Sequence, residues 1–337
     1  MSVYILASAS INPVTELRDT LLPAAAARPE GRRCAAREPD YKMYIADANV
    51  RRRMSRVMKM GVAAAVQCLS QTGRQPDAII TATGWGCLSD TEKFLRNVLE
   101  NGECLLNPTP FTQSTFNTVG AQTAIVLKNT NYNTTYVHRG FSFENALLDA
   151  MMRIREGEAV QALVESYDEH TGASFKIMER MGFWRQGAVC GEGVQCFVLS
   201  AQPGAGGRVR LRDVLCVFGG ELQPLREKLA LFLQKHRLRP EDVDMLLSGS
   251  AGKDSGCPYC RMVEGVFKTV PVARYKPFFG DYPTVSSLAL WLAGRLIAQQ
   301  QAPRWLLDAP PEQINRIVIY NHYKTKNHSF LLVEREQ

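Results

Sequence analysis

Apolar residues recur at three- and four-residue spacing from Phe143 through Ala146, Leu147, Ala150 and Met151 to Ile154, the period of a helix with one buried face over 141–155. Ser142, with Asn145 one turn on, suits its start and Gly157 its end. On either side the pattern becomes that of strands. A β-branched and aromatic run occupies 133–137 and an apolar one 159–164, and a sharp turn, His138-Arg139-Gly140, separates the first run from the helix. Gly191-Glu192-Gly193 then feeds a third strand-like run, 194–200. Past a Pro- and Gly-rich stretch at 202–207 the alternation begins again, with a strand at 211–219, an amphipathic helix at 222–236 and a strand at 243–248. The repetition predicts two packed halves, 1–202 and 208–337, and an α/β fold with a helix layer between sheets, an α/β/α/β/α sandwich of five layers.

Composition agrees: 337 residues with 45% hydrophobic are enough for two cores. No apolar run approaches the roughly 20 residues that span a bilayer, and no basic region precedes the first apolar stretch, so a cytoplasmic protein without a membrane span is expected. Nine cysteines, an odd number scattered through predicted elements, read as reduced and mostly buried thiols. The one spaced pair, Cys257-Pro-Tyr-Cys260, has the form of a redox motif or of half a zinc site. With no second such pair, and no histidine nearer in sequence than His236, the two are read as incidental, and neither metal nor cofactor is expected. The net charge of +7 includes the run Arg51, Arg52, Arg53, Arg56 and Lys59, which could steer an acidic partner or be a solvated helix face. No nucleic-acid-binding motif accompanies the charge, so nucleic acid is not expected as a partner.

The order of parts resembles the β-ketoacyl-acyl carrier protein synthases, the ketosynthase branch of the thiolase fold, whose nucleophile stands at the tip of a strand-to-helix turn and whose first half closes with a Gly-Glu-Gly turn before a strand. Further matches run along the chain: 3–9 as the opening strand, 46–69 as an Arg-rich first helix, 77–84 as a strand ending in a Thr-Gly loop, and 108–127 as a dimer-interface loop and helix. The resemblance implies a cysteine thiolate and two histidines that stabilise an enolate. This sequence departs at each of these places. The nucleophile position falls on Gly140, beside Arg139 and Phe141. The first histidine's loop corresponds to 247–254, which keeps small residues and Asp254, with Glu264 downstream, but no histidine. The second histidine's segment reads Lys276-Pro-Phe-Phe-Gly280 followed by Asp281, whose charge would oppose a developing anion. The glycine-rich terminal loop becomes 321–327, without its glycines.

A ketosynthase without its cysteine resembles a chain-length factor of type II polyketide or aryl polyene systems. The resemblance implies a catalytically silent subunit that pairs with an active ketosynthase, meets an acyl carrier protein and shapes an acyl tunnel through Phe111, Thr115, Phe116 and Asn117; the basic run at 51–59 would face the carrier protein. Two alternatives stay open. One is an enzyme with a substitute nucleophile such as Cys87 or Cys190, or a displaced dyad among His138, His322 and His328. The other is a binding homodimer.

Overall fold

The computed structural model describes residues 2–184, 187–204, 209–252 and 256–336. Asp254 and the 205–208 part of the predicted linker lie outside the described residues. In chain order the elements are β1 (Val3–Ile11), α1 (Ala48–Arg53), α2 (Arg56–Leu69), β2 (Ala78–Ala82), α3 (Leu88–Glu100), α4 (Pro108–Gln113), α5 (Thr118–Leu127), β3 (Tyr132–Tyr136), α6 (Ser142–Glu156), β4 (Gln161–Asp168), α7 (Gly172–Arg180) and β5 (Gly193–Ser200). The second half continues with β6 (Val209–Phe218), α8 (Leu222–Lys235), β7 (Met245–Ser248), α9 (Pro258–Val266), β8 (Val272–Arg274), α10 (Lys276–Phe279), α11 (Val285–Gln299), β9 (Arg316–Tyr323) and β10 (Asn327–Arg335).

The strand order is β3-β2-β4-β5-β1-β6-β10-β9-β7-β8. Reading outward from the middle, each side runs through its first strand, then its fifth, fourth, second and third, so the two halves share one topology. They meet where β1 pairs with β6 through Val3↔Leu211 and Tyr4↔Arg210. Strand alternation then assigns the layers. In the first half Ile80, Val164 and Leu199 face inward onto α6, while Ile79, Leu163 and Val198 face outward onto α2. In the second half Leu247, Ile319 and Leu331 face α11, while Leu246, Val318 and Leu332 face α8 and α9. The helices α6 and α11 lie buried between the two parts of the sheet, which gives the five layers the periodicity predicts.

One element read as a single helix is broken. The stretch 46–69 leaves helical geometry at Met54, whose backbone is extended and whose side chain is buried, and restarts at Arg56. The stretch 108–127 splits into α4 and α5 around residues 114–117. Gly157 closes α6 with a left-handed backbone (φ 77°), as its type and position predict. Ser142 is not the cap but lies in the first turn of α6, where its Oγ accepts from His138 N at 2.7 Å and donates to the Thr83 carbonyl at 2.8 Å.

One buried acid makes the fold pH-sensitive. Glu165 on β4 accepts from Thr123 Oγ1 at 3.4 Å, and its other oxygen has no partner among the described residues. Burial pushes its pKa up to about 8 from 4.5. A carboxyl whose pKa rises on folding stabilises the fold while protonated; that contribution is complete below the unfolded value and is lost as pH rises through the folded one. Glu165→Gln is therefore expected to flatten the loss of stability between about pH 5 and about pH 9, and to add on the order of 2 kcal/mol at the upper end, read from urea midpoints. An equally steep decline in the variant would contradict this.

Candidate functional site

The turn between β3 and α6 has the geometry of a nucleophile elbow. Its strained residue is Arg139, with φ 50°, and the next residue, Gly140, is buried. A side chain at Gly140 has no room, since its Cβ would lie 2.2 Å from Tyr323 Cβ and 2.7 Å from Tyr323 Cγ. Arg139 is exposed, and its backbone packs against Gly84 and Pro283, where a Cβ on Gly84 would meet Pro283 Cβ at 2.2 Å. The loops around the elbow are tied by the buried Asp168. It accepts from Thr83 Oγ1, Gly84 N and Trp85 N on one oxygen and from Thr284 N and Oγ1 on the other, at 2.7–3.0 Å.

Tyr323 reaches the elbow because the terminal segment is not an open loop. Strands β9 and β10 continue through it as a tight hairpin in which Tyr323 pairs with Asn327, His322 with His328 and Asn321 with Ser329, and Lys324 takes the left-handed position (φ 57°). Alternation along β9 sends Tyr323 toward the elbow and its neighbour His322 to the opposite side, toward α9. Tyr320 shares the face of His322, and the two rings stack at 6.1 Å.

Asp281, where the resemblance places a histidine, is not an isolated charge. Its Oδ1 lies 2.9 Å from Nζ of the buried Lys276, which also donates to the His322 carbonyl at 3.0 Å. Asp281, Lys276, His322 and Tyr323 line a cavity of about 500 Å³, walled from the first half by Met181–Phe183 and from the second by residues around Cys257. Cys257 and Cys260, incidental by sequence because no histidine lies near them in the chain, meet His322 through the hairpin. Cys257 Sγ is 3.5 Å from His322 Nε2, and the three potential ligand atoms all lie within 4.8 Å of one another. His322 donates from Nδ1 to the Lys324 carbonyl at 2.8 Å, which leaves the Nε2 lone pair facing the sulfur. Hydrogen bonding from Cys260, and then the neighbouring His322, hold the Cys257 thiol well below its usual range. The signal available in the sequence was the CxxC pair together with a histidine at the segment that had lost its glycines.

The other candidates are structural. Burial pushes the Cys87 and Cys190 thiols up, so neither is a ready thiolate. His138 is exposed and bonds Asn145 through Nδ1 at 2.9 Å. His328 is fixed between Tyr320 Oη and the Gly219 carbonyl, and burial lowers its pKa to about 4.

Among the basic residues, Arg56 is already committed. It makes two bonds to the buried Glu192 of the Gly-Glu-Gly turn, at 2.6 and 2.9 Å, and one to Glu38 at 2.5 Å. The pair with Glu192 ties the start of α2 to the Gly-Glu-Gly turn. Arg51 donates to the Ile45 carbonyl at 2.5 Å; Arg52 and Arg53 are exposed, and Lys59 is half-buried. Arg51, Arg52 and Lys59 line a shallow crevice with Lys42.

Phe111, Thr115, Phe116 and Asn117 are all exposed, on α4 and the turn into α5. Phe111 packs on Phe94 at 5.2 Å, and the Phe116 ring covers Gly86. Leu95 and Leu99 on α3 and Ile125 on α5 are exposed too, the last 68% exposed on a helix without a charged residue. Next to it β3 ends the sheet order, leaving one edge unpaired.

The sequence model of the family described as "Beta-ketoacyl synthase, N-terminal domain" matches residues 26–193, the half that carries the elbow and the Gly-Glu-Gly turn. The chain belongs to the β-ketoacyl synthase family. Solved structures of the same fold cover it almost entirely. The ishigamide ketosynthase/chain length factor has a TM-score of 0.80 at 17% identity, covering 100% of this chain and 99% of that one. A β-ketoacyl synthase from Burkholderia phymatum STM815 has 0.78 at 14%, covering 99% of each. The ketosynthase ApeO in complex with its chain length factor ApeC, from Xenorhabdus doucetiae, has 0.75 at 14%, covering 99% and 98%. No curated protein sequence matches. The fold is thus the thiolase-like ketosynthase sandwich, and its turn between β3 and α6 carries Arg139 and Gly140.

Proposed function

We propose that this chain is a catalytically silent ketosynthase-like subunit of the chain-length-factor type, which pairs with an active β-ketoacyl-acyl carrier protein synthase and shapes the acyl tunnel in a polyketide, aryl polyene or fatty-acid type of synthesis. The observation that carries it is the elbow, where Arg139 and Gly140 offer no thiol and Tyr323 occupies the space a side chain at Gly140 would need. A surface built for a partner supports the same reading. Apolar side chains stand exposed on α3 and α5 and at Phe111 and Phe116, and β3 ends the sheet order. Two of the structural neighbours are a ketosynthase with a chain length factor.

In this reading Phe111, Thr115, Phe116 and Asn117 approach the partner's tunnel, and bulk there limits chain growth. Arg52, Arg53, Lys59 and the neighbouring Arg51 attract the acidic carrier protein, while Arg56 holds the Gly-Glu-Gly turn. Among the described residues no helix is long and apolar enough to cross a membrane. The cytoplasmic setting is part of the proposal. The junction of the two halves is proposed between Ser200, the end of β5, and Val209, the start of β6. The test is co-expression with a cysteine-bearing ketosynthase of the same system. The two should purify together and condense acyl and malonyl carrier proteins, and each alone should be inactive. Condensation by this chain alone would overturn the proposal.

One observation favours a second reading, an acyltransferase with a non-standard nucleophile. Cys257 stands beside His322 in a cavity reached from both halves. That reading requires a thioester on Cys257.

A further inference from the structure

We infer that Cys257, Cys260 and His322 bind one thiophilic divalent cation, zinc by the chemistry of its ligands, with a fourth coordination position open to the cavity. The donor set comes from two separate elements. Cys257 caps the N-terminus of α9 and Cys260 lies one turn into it, so the CxxC spacing puts both sulfurs on one side of the helix start. His322 arrives from β9 through the hairpin.

Geometry fits a tetrahedral ion. With zinc bonds of about 2.3 Å to sulfur and about 2.05 Å to nitrogen at a tetrahedral angle, the two donors should be about 3.6 Å apart. Cys257 Sγ and His322 Nε2 are 3.5 Å apart, and all three donor atoms lie within 4.8 Å of one another. The surrounding bonds are those a ligated site uses. His322 donates Nδ1–H to the Lys324 carbonyl, which fixes the tautomer and aims Nε2 at the thiols. The Cys260 amide donates to Cys257 Sγ at 3.4 Å, an interaction that favours a thiolate. The nearest amine, Lys276, is occupied by Asp281 and the His322 carbonyl.

Only a metal bonds to all three side chains: an acyl acceptor would be bonded through Cys257 alone, and a disulfide would leave His322 idle. Binding transfers the two thiol protons to solvent, and the resulting dithiolate cancels the charge of the cation, so the site adds no net charge to a half-buried place. The site stands whether or not the chain is silent in condensation. If it is, a metal on Cys257 removes the one thiol in the cavity from nucleophilic use.

The test uses the full chain, purified without chelators from zinc-supplemented cells. About one zinc per chain is expected by elemental analysis, and cobalt loaded into the stripped protein should show an intense near-ultraviolet thiolate-to-metal absorption. Cys257→Ser and His322→Gln should each weaken cobalt binding by roughly a hundredfold while leaving the far-ultraviolet circular dichroism unchanged. Because Cys257 is only half-buried and His322 lines the cavity, both variants should fold; if either does not, the wild-type cobalt spectrum decides by itself. Absence of the thiolate band in folded wild-type protein, binding unaffected in both variants, or a Cys257–Cys260 disulfide that persists under reductant and excludes the metal would overturn the inference.

Discussion

Gly140→Cys, the substitution that puts a thiol back at the elbow, is expected to destabilise the chain by about 3 kcal/mol and to form no thioester. The new Cβ would sit 2.2 Å from Tyr323 Cβ, and the atoms it meets are the stem of the ring rather than its movable end. Tyr323 cannot swing away, because it pairs with Asn327 at the closed end of the β9–β10 hairpin and is itself buried. Arg139→Cys is the control. Arg139 is exposed and already carries a side chain at φ 50°, so this variant should melt close to wild type. Combining Gly140→Cys with Tyr323→Gly should cost less than the sum of the two single changes, as the clash is between those two positions. A Gly140→Cys protein with an unchanged melting temperature would show that the elbow is not filled as described.

The second large effect is expected at the apolar face. Ile125→Asp places a carboxylate on the outward side of α5, a helix without a charged residue. The folded chain alone should tolerate it within about 0.5 kcal/mol, since the side chain is in water. In a complex that covers α5, the charge would be buried without a partner, and co-purification with the active ketosynthase and the condensation rate should each fall at least tenfold, roughly. Phe111→Ala should instead leave pairing largely intact and change the length distribution of the products. Unaltered pairing in Ile125→Asp would move the interface elsewhere.

Much of the frame was legible from the chain because it follows from periodicity. The buried face of α6 and Gly157 at its end follow from a 3.6-residue repeat, and β4, β5 and β7, buried along nearly their whole length, from short apolar runs. What the sequence hides are events set by tertiary contact. Nothing in 46–69 marks a break, since no glycine or proline precedes Met54; the helix ends there because Met54 is drawn into the core. Arg56 looks like its neighbours in a basic run, and only the fold brings Glu192, 136 residues away, against it. The loss of glycines in the terminal segment was visible as a loss. Its consequence was not, because a hairpin in which Tyr323 fills the old site and His322 completes a new one requires knowing which way each side chain points.

The central claim is that this chain shapes a condensing site without carrying the acyl group. Intact mass spectrometry after incubation with an acyl-acyl carrier protein, first alone and then with the active ketosynthase, tests it directly. The account predicts an unchanged mass for this chain in both cases and one acyl addition on the partner's cysteine. An acyl adduct on this chain, mapped to Cys257, would contradict it.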